Sequence, residues 1–188
     1  HKSNPEFIDD TFETLEHTKS RMDNMLKQLT EKKTNQRQRQ LQIEIGSILH
    51  NVVKQRCQSF LPLPMVDCES SLFVEIDAEK FANVMYHLIS NAQQATEDTG
   101  TVVINASRFN DNGRDYIVVK VMDTGEGMSA EFIENRLFTP FDTTKGNAGM
   151  GIGAHDAKNY IEEIGGMITV DSEIDQGTVF TLSIPVTE

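Results

Sequence analysis

A glycine-rich segment in the C-terminal part of the chain has residue types suited to holding a polyphosphate. It reads FDTTKGNAGMGIGAH, residues 141–155, and after Lys145 it carries glycines at positions 146, 149, 151 and 153. Glycine costs a helix roughly 1 kcal/mol relative to alanine, so four glycines in eight residues indicate a segment selected for backbone freedom and not for helix stability. The segment lacks the Gly-Lys-Ser/Thr of a Walker loop and follows no predicted strand. It leads into a predicted helix, however, and bare amides at a helix N-terminus suit phosphate groups.

A second candidate group lies on a predicted helix. In NVMYHLISNAQQA, residues 83–95, Asn91 follows His87 by one helical turn. An asparagine carbonyl can ligate Mg²⁺ or orient a water molecule, and asparagine is a poor choice for a helix interior otherwise. The alternative is a plain polar face, with His87 a satisfied core histidine.

A third group, DTGEGM (123–128), directly follows an apolar strand. The carboxylate of Asp123 can accept a hydrogen bond from an amino group such as that of adenine. Gly125 and Gly127 allow the backbone to approach a ligand closely. The alternative is an ordinary turn, because Asp-Thr-Gly is common in turns.

A fourth group, RLFTPFDTTK (136–145), combines aromatic residues with a lysine. Phe138 and Phe141 can anchor one end of a mobile loop, with Lys145 at its tip as a cation for a phosphate. A buried aromatic pair is the alternative reading, and the two are compatible.

Composition limits the classes of protein to which the chain can belong. With 188 residues and 38% hydrophobic content, one domain plus a polar, extended part is expected. The formal charge of −12 argues against nucleic acid or an anionic membrane as the main partner. Cys57 and Cys68 have no metal-ligand spacing and are interpreted as reduced thiols in a cytoplasmic protein. No apolar run approaches the roughly 18 residues of a membrane span.

The first part of the chain is predicted to be one long amphipathic helix, over residues 5–33. Its apolar positions alternate in four-three spacing, with Lys19 in one slot, and are Ile8, Phe12, Leu15, Met22, Leu26 and Leu29. This narrow seam is typical of a coiled coil or helical bundle, although packing on its own domain is the alternative. The division is therefore 1–34 for this helix, 35–40 for a linker and 41–188 for the main domain.

Within the main domain, helices and strands mix without strict βαβ alternation. Strands are predicted in LQIEI, LPLPMVD and SLFVEID, in a hairpin of TVVINASRF and DYIVVKVMD across NDNG, and in MITVDS and TVFTLSIPV. Helices are predicted in SILHNVVKQRC, from the cap Asp77 to Gly100, over 130–138 and over 152–164. The predicted fold class is α+β, a two-layer α/β sandwich in which one mixed sheet is backed by helices.

The four groups, in this order along the chain, resemble the ATP-binding (Bergerat-fold) domain shared by sensor histidine kinases, type II topoisomerases, the 90 kDa heat-shock chaperone and mismatch-repair ATPases. The resemblance covers about residues 41–188. LFTPF and GGMITVDSEIDQGTVFTLSIPV are similar to the histidine kinase branch. HLISNAQQAT and PFDTTKGNAGMGIGAHDAK, with the N-terminal helix, are also similar to the histidine kinases of PEP-CTERM and exosortase systems.

Carried over position by position, the resemblance implies ATP and Mg²⁺ as ligands. Asn91 would ligate a Mg²⁺ that bridges the triphosphate, and Asp123 would read adenine. The implied catalytic residues are Asn91, Lys145 and His87. The other implied nucleotide-binding residues are Gly125, Gly127, Met128, Phe138, Phe141, Thr144, Gly149, Gly151, Ile152, Gly153 and Thr178. The glycine-rich segment would then be a lid that closes over ATP and reopens.

The sequence departs from the family pattern in three ways. His87 stands where many histidine kinases have asparagine and where the ATPase relatives have a glutamate base. Gln94 stands where a lysine or arginine is frequent, so Lys145 would supply more of the phosphate charge. No phosphoacceptor motif is present, since His17 lacks the acidic neighbour and the proline of that motif. His50 and His155 are interpreted as ordinary helix residues.

The resemblance implies a sensor histidine kinase that phosphorylates a histidine on an upstream helix and relays the group to a response regulator receiver domain. Residues 1–34 would be the second helix of a dimerisation hairpin, through which the full-length protein forms a homodimer. The full-length protein would be membrane-anchored through other segments. Two alternatives stay open: an ATPase of the chaperone or mismatch-repair type, and a non-catalytic nucleotide-binding dimerisation module.

Overall fold

The computed structural model describes residues 41–139 and 153–186. The predicted seam helix, the linker and the segment 140–152 lie outside the described residues.

A five-stranded mixed sheet forms one layer of the domain. Its strands, in chain order, are β2 (Met65–Cys68), β4 (Val102–Asp111), β5 (Arg114–Asp123), β6 (Met167–Glu173) and β7 (Gly177–Pro185). The spatial order is β2–β4–β5–β7–β6, with β2 parallel to β4 and the other neighbours antiparallel. Two further strands, β1 (Leu41–Glu44) and β3 (Phe73–Ile76), form a separate antiparallel pair.

Helices form the second layer. They are α1 (Ile45–Arg56), α2 (Ala78–Ala95), α3 (Ala130–Asn135) and α4 (Gly153–Glu163). The predicted apolar face of α2 is buried in full, at Phe81, Val84, Met85, Leu88 and Ile89. It meets the inner sheet face, where Ile104, Val119, Val121 and Leu182 are also fully buried. The predicted α+β sandwich is therefore confirmed.

The helix that carries Asn91 and His87 is shorter than the sequence predicts. Asp77 caps it as expected, because its Oδ1 accepts the N–H groups of Glu79 and Lys80, both at 3.0 Å. Its predicted end at Gly100 is wrong, because α2 ends at Ala95 and Thr96 is extended. The carbonyl of Ala95 accepts the N–H of Glu126 at 3.0 Å, so a distant loop completes this helix end.

The strand predicted in LPLPMVD begins only at Met65. Pro62 and Pro64 have no N–H to donate to a sheet. Residues 57–62 instead form a loop held by Gln93, a buried residue of α2. Its side-chain amide lies within hydrogen-bond distance of the carbonyls of Cys57, Phe60 and Pro62.

The hairpin prediction is confirmed, and its turn is Asn112–Gly113, with φ of 50° and 85°. The helix predicted over 130–138 ends at Asn135, because Arg136 leaves helical geometry with φ of −128°. Among the described helices, none is long and apolar enough to cross a membrane.

Candidate functional site

Asp123 and Thr178 lie side by side at the end of the central strands. Asp123 is the last residue of β5, and the register of β5 with β7 places it directly opposite Thr178. Their side chains are 8% and 5% exposed. One carboxylate oxygen of Asp123 accepts the N–H of Gly125 at 2.9 Å. The strand register thus creates a buried polar pair, and its role in reading a base stays a prediction.

The loop after Asp123 packs tightly against the protein itself. A Cβ added at Gly125 would lie 2.3 Å from the carbonyl oxygen of Ala95, and one at Gly127 would lie 1.9 Å from that of Glu173. Gly127 also has φ of +66°. We expected these glycines to serve close approach to a ligand, and the structure adds a requirement from internal packing. The loop is held between the end of α2 and the turn that joins β6 to β7.

Three residues of α2, one turn apart, connect the two ends of the site. Ala95 contacts the loop after Asp123 through the bond from Glu126. Asn91 is half-buried one turn earlier. One turn earlier again, His87 lies beside the start of α4, where a Cβ added at Gly153 would be 3.2 Å from the Cβ of His87. Asn91 is therefore placed between the Asp123 loop and the N-terminus of α4.

The start of α4 also holds Phe138, the predicted aromatic anchor. Nδ1 of His155 lies 2.9 Å from the carbonyl oxygen of Phe138, and Nε2 lies 2.9 Å from the side-chain nitrogen of Asn159. Because Asn159 donates, His155 carries its proton on Nδ1 and donates to Phe138. Lys158 lies 5.0 Å from the centroid of the Phe138 ring. The interpretation of His155 as an ordinary helix residue missed its contact with Phe138, because the four-residue spacing from Asn159 indicates only the contact between those two side chains.

Six predicted ligand-binding residues lie outside the described residues, so their positions stay predictions. They are Phe141, Thr144, Lys145, Gly149, Gly151 and Ile152. Met128 is half-buried, and its N–H donates to Ser172 at 2.9 Å. Sequence reasoning did not single out Ser172, since a serine in a strand carries no signal of its own.

The environment of His87 favours its neutral form. Desolvation by nearby protein atoms lowers the pKa of His87, and the positive charge of Arg56 lowers it further, while Asp156 acts in the opposite direction. His87 is nevertheless an exposed residue of α2, so solvent screens these effects. His87 thus brings neither a negative charge nor a full positive charge to this end of the site at neutral pH.

We expect His87→Asn to make the stability of the domain less sensitive to acid. A histidine whose pKa is lower in the folded state binds fewer protons there than in the unfolded chain. Stability is therefore retained above the unfolded-state pKa of about 6.5 and is lost as the pH falls below it. Urea unfolding of wild type and variant at about pH 7.5 and about pH 5.5, on either side of the reference pKa of ~6.5, measures how much unfolding free energy each protein loses. Equal loss of stability in the two proteins would contradict it.

The donor set fits Mg²⁺ only as a partner of phosphate groups. Asn91 offers one amide oxygen, and no group of three His, Cys, Asp or Glu side chains among the described residues could enclose a metal ion. Mg²⁺ usually keeps several waters and is held by one or two protein ligands plus substrate phosphates. Asn91 is compatible with that arrangement and not with a metal site built from protein alone.

A surface cavity of about 410 Å³ lies elsewhere, at the start of α1. Its lining includes Glu44 and Glu69, and both carboxylates already have partners. Glu44 accepts the N–H of Ser47 at 2.6 Å, and Glu69 accepts that of Arg108 at 3.0 Å. Its size alone does not make it the site, because none of the predicted ligand-binding residues lines it.

Comparison with known proteins agrees with this geometry. Residues 76–188 match the family described as histidine kinase-, DNA gyrase B-, and HSP90-like ATPase. The chain belongs to this family. Among solved structures, the catalytic domain of histidine kinase ThkA, in a nucleotide-free form, is similar with a TM-score of 0.62 and 26% identity. That match covers 77% of this chain and 95% of the solved ThkA catalytic-domain chain.

Relatives with similar sequences include a sensor histidine kinase and a sporulation kinase. Sensor histidine kinase ZraS of Salmonella typhi is 34% identical over 137 residues, which cover 72% of this chain and 28% of that protein. Sporulation kinase A of Bacillus subtilis (strain 168) is 37% identical over 117 residues, 62% of this chain and 18% of that protein. The chain thus spans less than a third of these relatives. By sequence and fold it is an ATP-binding catalytic domain of the sensor histidine kinase type.

Proposed function

We propose that this domain binds Mg-ATP and transfers the γ-phosphoryl group to a histidine imidazole of a two-component sensor kinase. The observation that carries the proposal is the buried Asp123–Thr178 pair, aligned through Asn91 with the start of α4. The Asp123 loop, Asn91 and the start of α4 follow one another along one side of α2, where Asp123 would read the base and Asn91 would ligate the metal ion. This order matches a nucleotide whose base lies at Asp123 and whose phosphates extend past Asn91 to the start of α4.

The base would lie at Asp123. A buried carboxylate that already fixes the loop through Gly125 is held in one orientation, so it can accept a hydrogen bond from the adenine amino group. Thr178 would complete the polar edge. Gly127 and Met128 would form the adjoining wall, because the loop that contains them is fixed against the β6–β7 turn.

The triphosphate would extend along α2 towards α4. Asn91 would hold Mg²⁺ through its amide oxygen, and the ion supplies neutralisation of charge on the transferred phosphoryl group. The N-terminus of the 11-residue helix α4 would direct backbone N–H groups and a partial positive charge at the phosphates. Gly153 and the predicted residues Gly149, Gly151 and Lys145 would add amides and a cation at that end.

The chemistry would depend on positioning more than on acid–base catalysis. An imidazole nitrogen has a lone pair, so it needs no strong base from this domain. By the resemblance, His87 occupies the position at which ATPase relatives have a glutamate base, so the carboxylate with which those relatives activate water is absent from that position. In-line transfer is then promoted by orientation and by charge neutralisation.

The wider assignments are part of the same proposal. The acceptor histidine would lie on a helix upstream of His1, and the phosphoryl group would pass to the aspartate of a response regulator receiver domain. Residues 1–34 would pair in a homodimer in the full-length protein, which would be anchored to the membrane with this domain in the cytoplasm. Kinship to the PEP-CTERM-associated kinases stays a prediction from the sequence.

Lys145→Ala tests the phosphate end of the proposal. We expect phosphoryl transfer to a histidine-bearing longer form of the protein to fall at least about tenfold, since Lys145 would stabilise charge that develops in the transition state. ATP affinity should fall less. Lys120→Ala, which removes an exposed lysine of β5, is the matched control. Normal transfer by Lys145→Ala would move the phosphate role to another residue.

A further inference from the structure

Ser172 is the centre of a hydrogen-bond cluster beside the base-reading pair. Its hydroxyl oxygen lies 2.9 Å from the backbone nitrogen of Met128, 2.8 Å from the carbonyl oxygen of Gly177 and 2.8 Å from Oγ1 of Thr178. The strand register explains the arrangement. Ser172 of β6 is directly opposite Thr178 of β7, which is directly opposite Asp123 of β5. Side chains of directly opposed residues share one face of a sheet, so the three form one row.

Counting protons fixes the direction of these bonds. A serine hydroxyl has one hydrogen and two lone pairs. The N–H of Met128 can only donate, so it takes one lone pair of Ser172. The carbonyl of Gly177 can only accept, so it takes the hydrogen of Ser172. The remaining partner, Thr178, must then donate its own hydrogen to the second lone pair of Ser172.

The consequence for Thr178 is that its hydroxyl hydrogen is bound to Ser172 and is not available to a ligand. Towards a ligand, Thr178 offers lone pairs only, and its neighbour Asp123 is a carboxylate. Both groups of the base-reading edge are thus acceptors, which match a ligand amino group and oppose a ligand carbonyl.

We propose that Ser172 is a positioning residue for base selection: by binding the hydroxyl hydrogen of Thr178, it makes the site favour a 6-amino purine over a 6-oxo purine. This inference rests on the proposed function, since it assumes that the nucleotide base binds at Asp123. Ser172 itself acts through Thr178, and its bond to Met128 fixes the loop on the same side.

The test compares the affinities of the chain for ATP and ITP, which differ in the 6-amino and 6-oxo groups. In Ser172→Ala, the hydroxyl of Thr178 is released and can rotate to donate to the 6-oxo group. We expect the ratio of ATP affinity to ITP affinity to fall about tenfold, in line with the cost of mismatched polar groups in a site. A general loosening would lower both affinities and leave the ratio unchanged.

Three variants make the result specific. Ser172→Thr keeps the hydroxyl and should keep the wild-type ratio. Thr178→Val removes the hydroxyl that Ser172 orients, and adding Ser172→Ala to it should change the ratio no further. Circular dichroism and urea unfolding show whether each variant is folded. If Ser172→Ala is unfolded, Thr178→Val alone still tests the row, because it removes the lone pairs that oppose a 6-oxo group. Its ratio of ATP affinity to ITP affinity must then fall below that of wild type, and an unchanged ratio would overturn the proposal.

The outcomes separate the two proposals. A wild-type chain that binds neither nucleotide would overturn the proposed function and this inference together. A wild-type chain that prefers ATP, with an unchanged ratio in folded Ser172→Ala, would overturn only the role of Ser172. A reduced ratio in Ser172→Ala, restored by Ser172→Thr and absent in the Thr178→Val background, is the expected result.

Discussion

Asp123→Asn is expected to weaken ATP binding by about 10- to 100-fold while leaving the domain folded. A hydrogen bond to a charged group contributes about 1.5–3 kcal/mol, and each ~1.4 kcal/mol is a factor of ten in affinity. The asparagine keeps one oxygen, which can still accept the N–H of Gly125. Its –NH₂ group, however, would face the amino group of adenine with a second donor. Isothermal titration calorimetry with Mg-ATP measures the loss.

The matched control for this variant is Asp171→Asn. Asp171 is an exposed carboxylate of β6, so its neutralisation changes the net charge equally without touching the buried pair. We expect its ATP affinity to stay within about twofold of wild type, as for a surface charge far from a ligand. Equal affinity in wild type and Asp123→Asn would remove Asp123 as the adenine reader, whatever the control shows.

Gly127→Ala is expected to cause a large loss of stability. The positive φ of this residue costs an alanine about 1–2 kcal/mol. The added Cβ would also lie 1.9 Å from the carbonyl oxygen of Glu173, so the loop or the β6–β7 turn must move. Overpacking of this kind adds about 1–3 kcal/mol. The free energy of unfolding in urea should therefore fall by roughly 2–5 kcal/mol.

Gly113→Ala separates the two causes. Gly113 has φ of +85°, and a Cβ there would have no heavy atom within 4 Å. Its substitution should show the cost of the backbone conformation alone, about 1–2 kcal/mol. If Gly127→Ala destabilised the domain no more than Gly113→Ala, the tight packing of the loop against Glu173 would be refuted.

Local signals in the sequence were sufficient for the type of most elements. The cap Asp77, the apolar spacing of α2 and the Asn112–Gly113 turn each act over a few residues, and each prediction is confirmed. The end of α2 was not predictable in the same way. The carbonyl of its last residue, Ala95, accepts a hydrogen bond from the N–H of Glu126, which lies in a loop far along the chain. No pattern within α2 predicts that partner.

The residues of the candidate site differ in the same way: those in local motifs were predicted from the sequence, and those that act through distant contacts were not. Asp123 and Gly127 were found because they form a dense motif after a strand, although the packing that requires Gly127 could not be foreseen. His155 and Ser172 were missed because each acts through contacts between separate elements, with Phe138 and Thr178 respectively. Single polar residues on a helix or strand look the same in sequence whether they face solvent or hold a neighbour.

The most direct test of a histidine kinase uses ATP labelled on its γ-phosphate. The chain is mixed with a longer form of the protein that would carry the proposed acceptor helix, together with the substitution Asp123→Asn, so that only the shorter chain can bind ATP well. For a histidine kinase, we expect acid-labile, alkali-stable label on the longer chain and none on the short chain alone.

Two other results would contradict the proposed histidine kinase activity. Release of inorganic phosphate without label on either chain would favour an ATPase of the chaperone or mismatch-repair type. Mg-ATP binding with neither label nor release would favour a non-catalytic nucleotide-binding module. Label on the longer chain, lost when Lys145→Ala is introduced into the short one, is the result that the kinase account predicts.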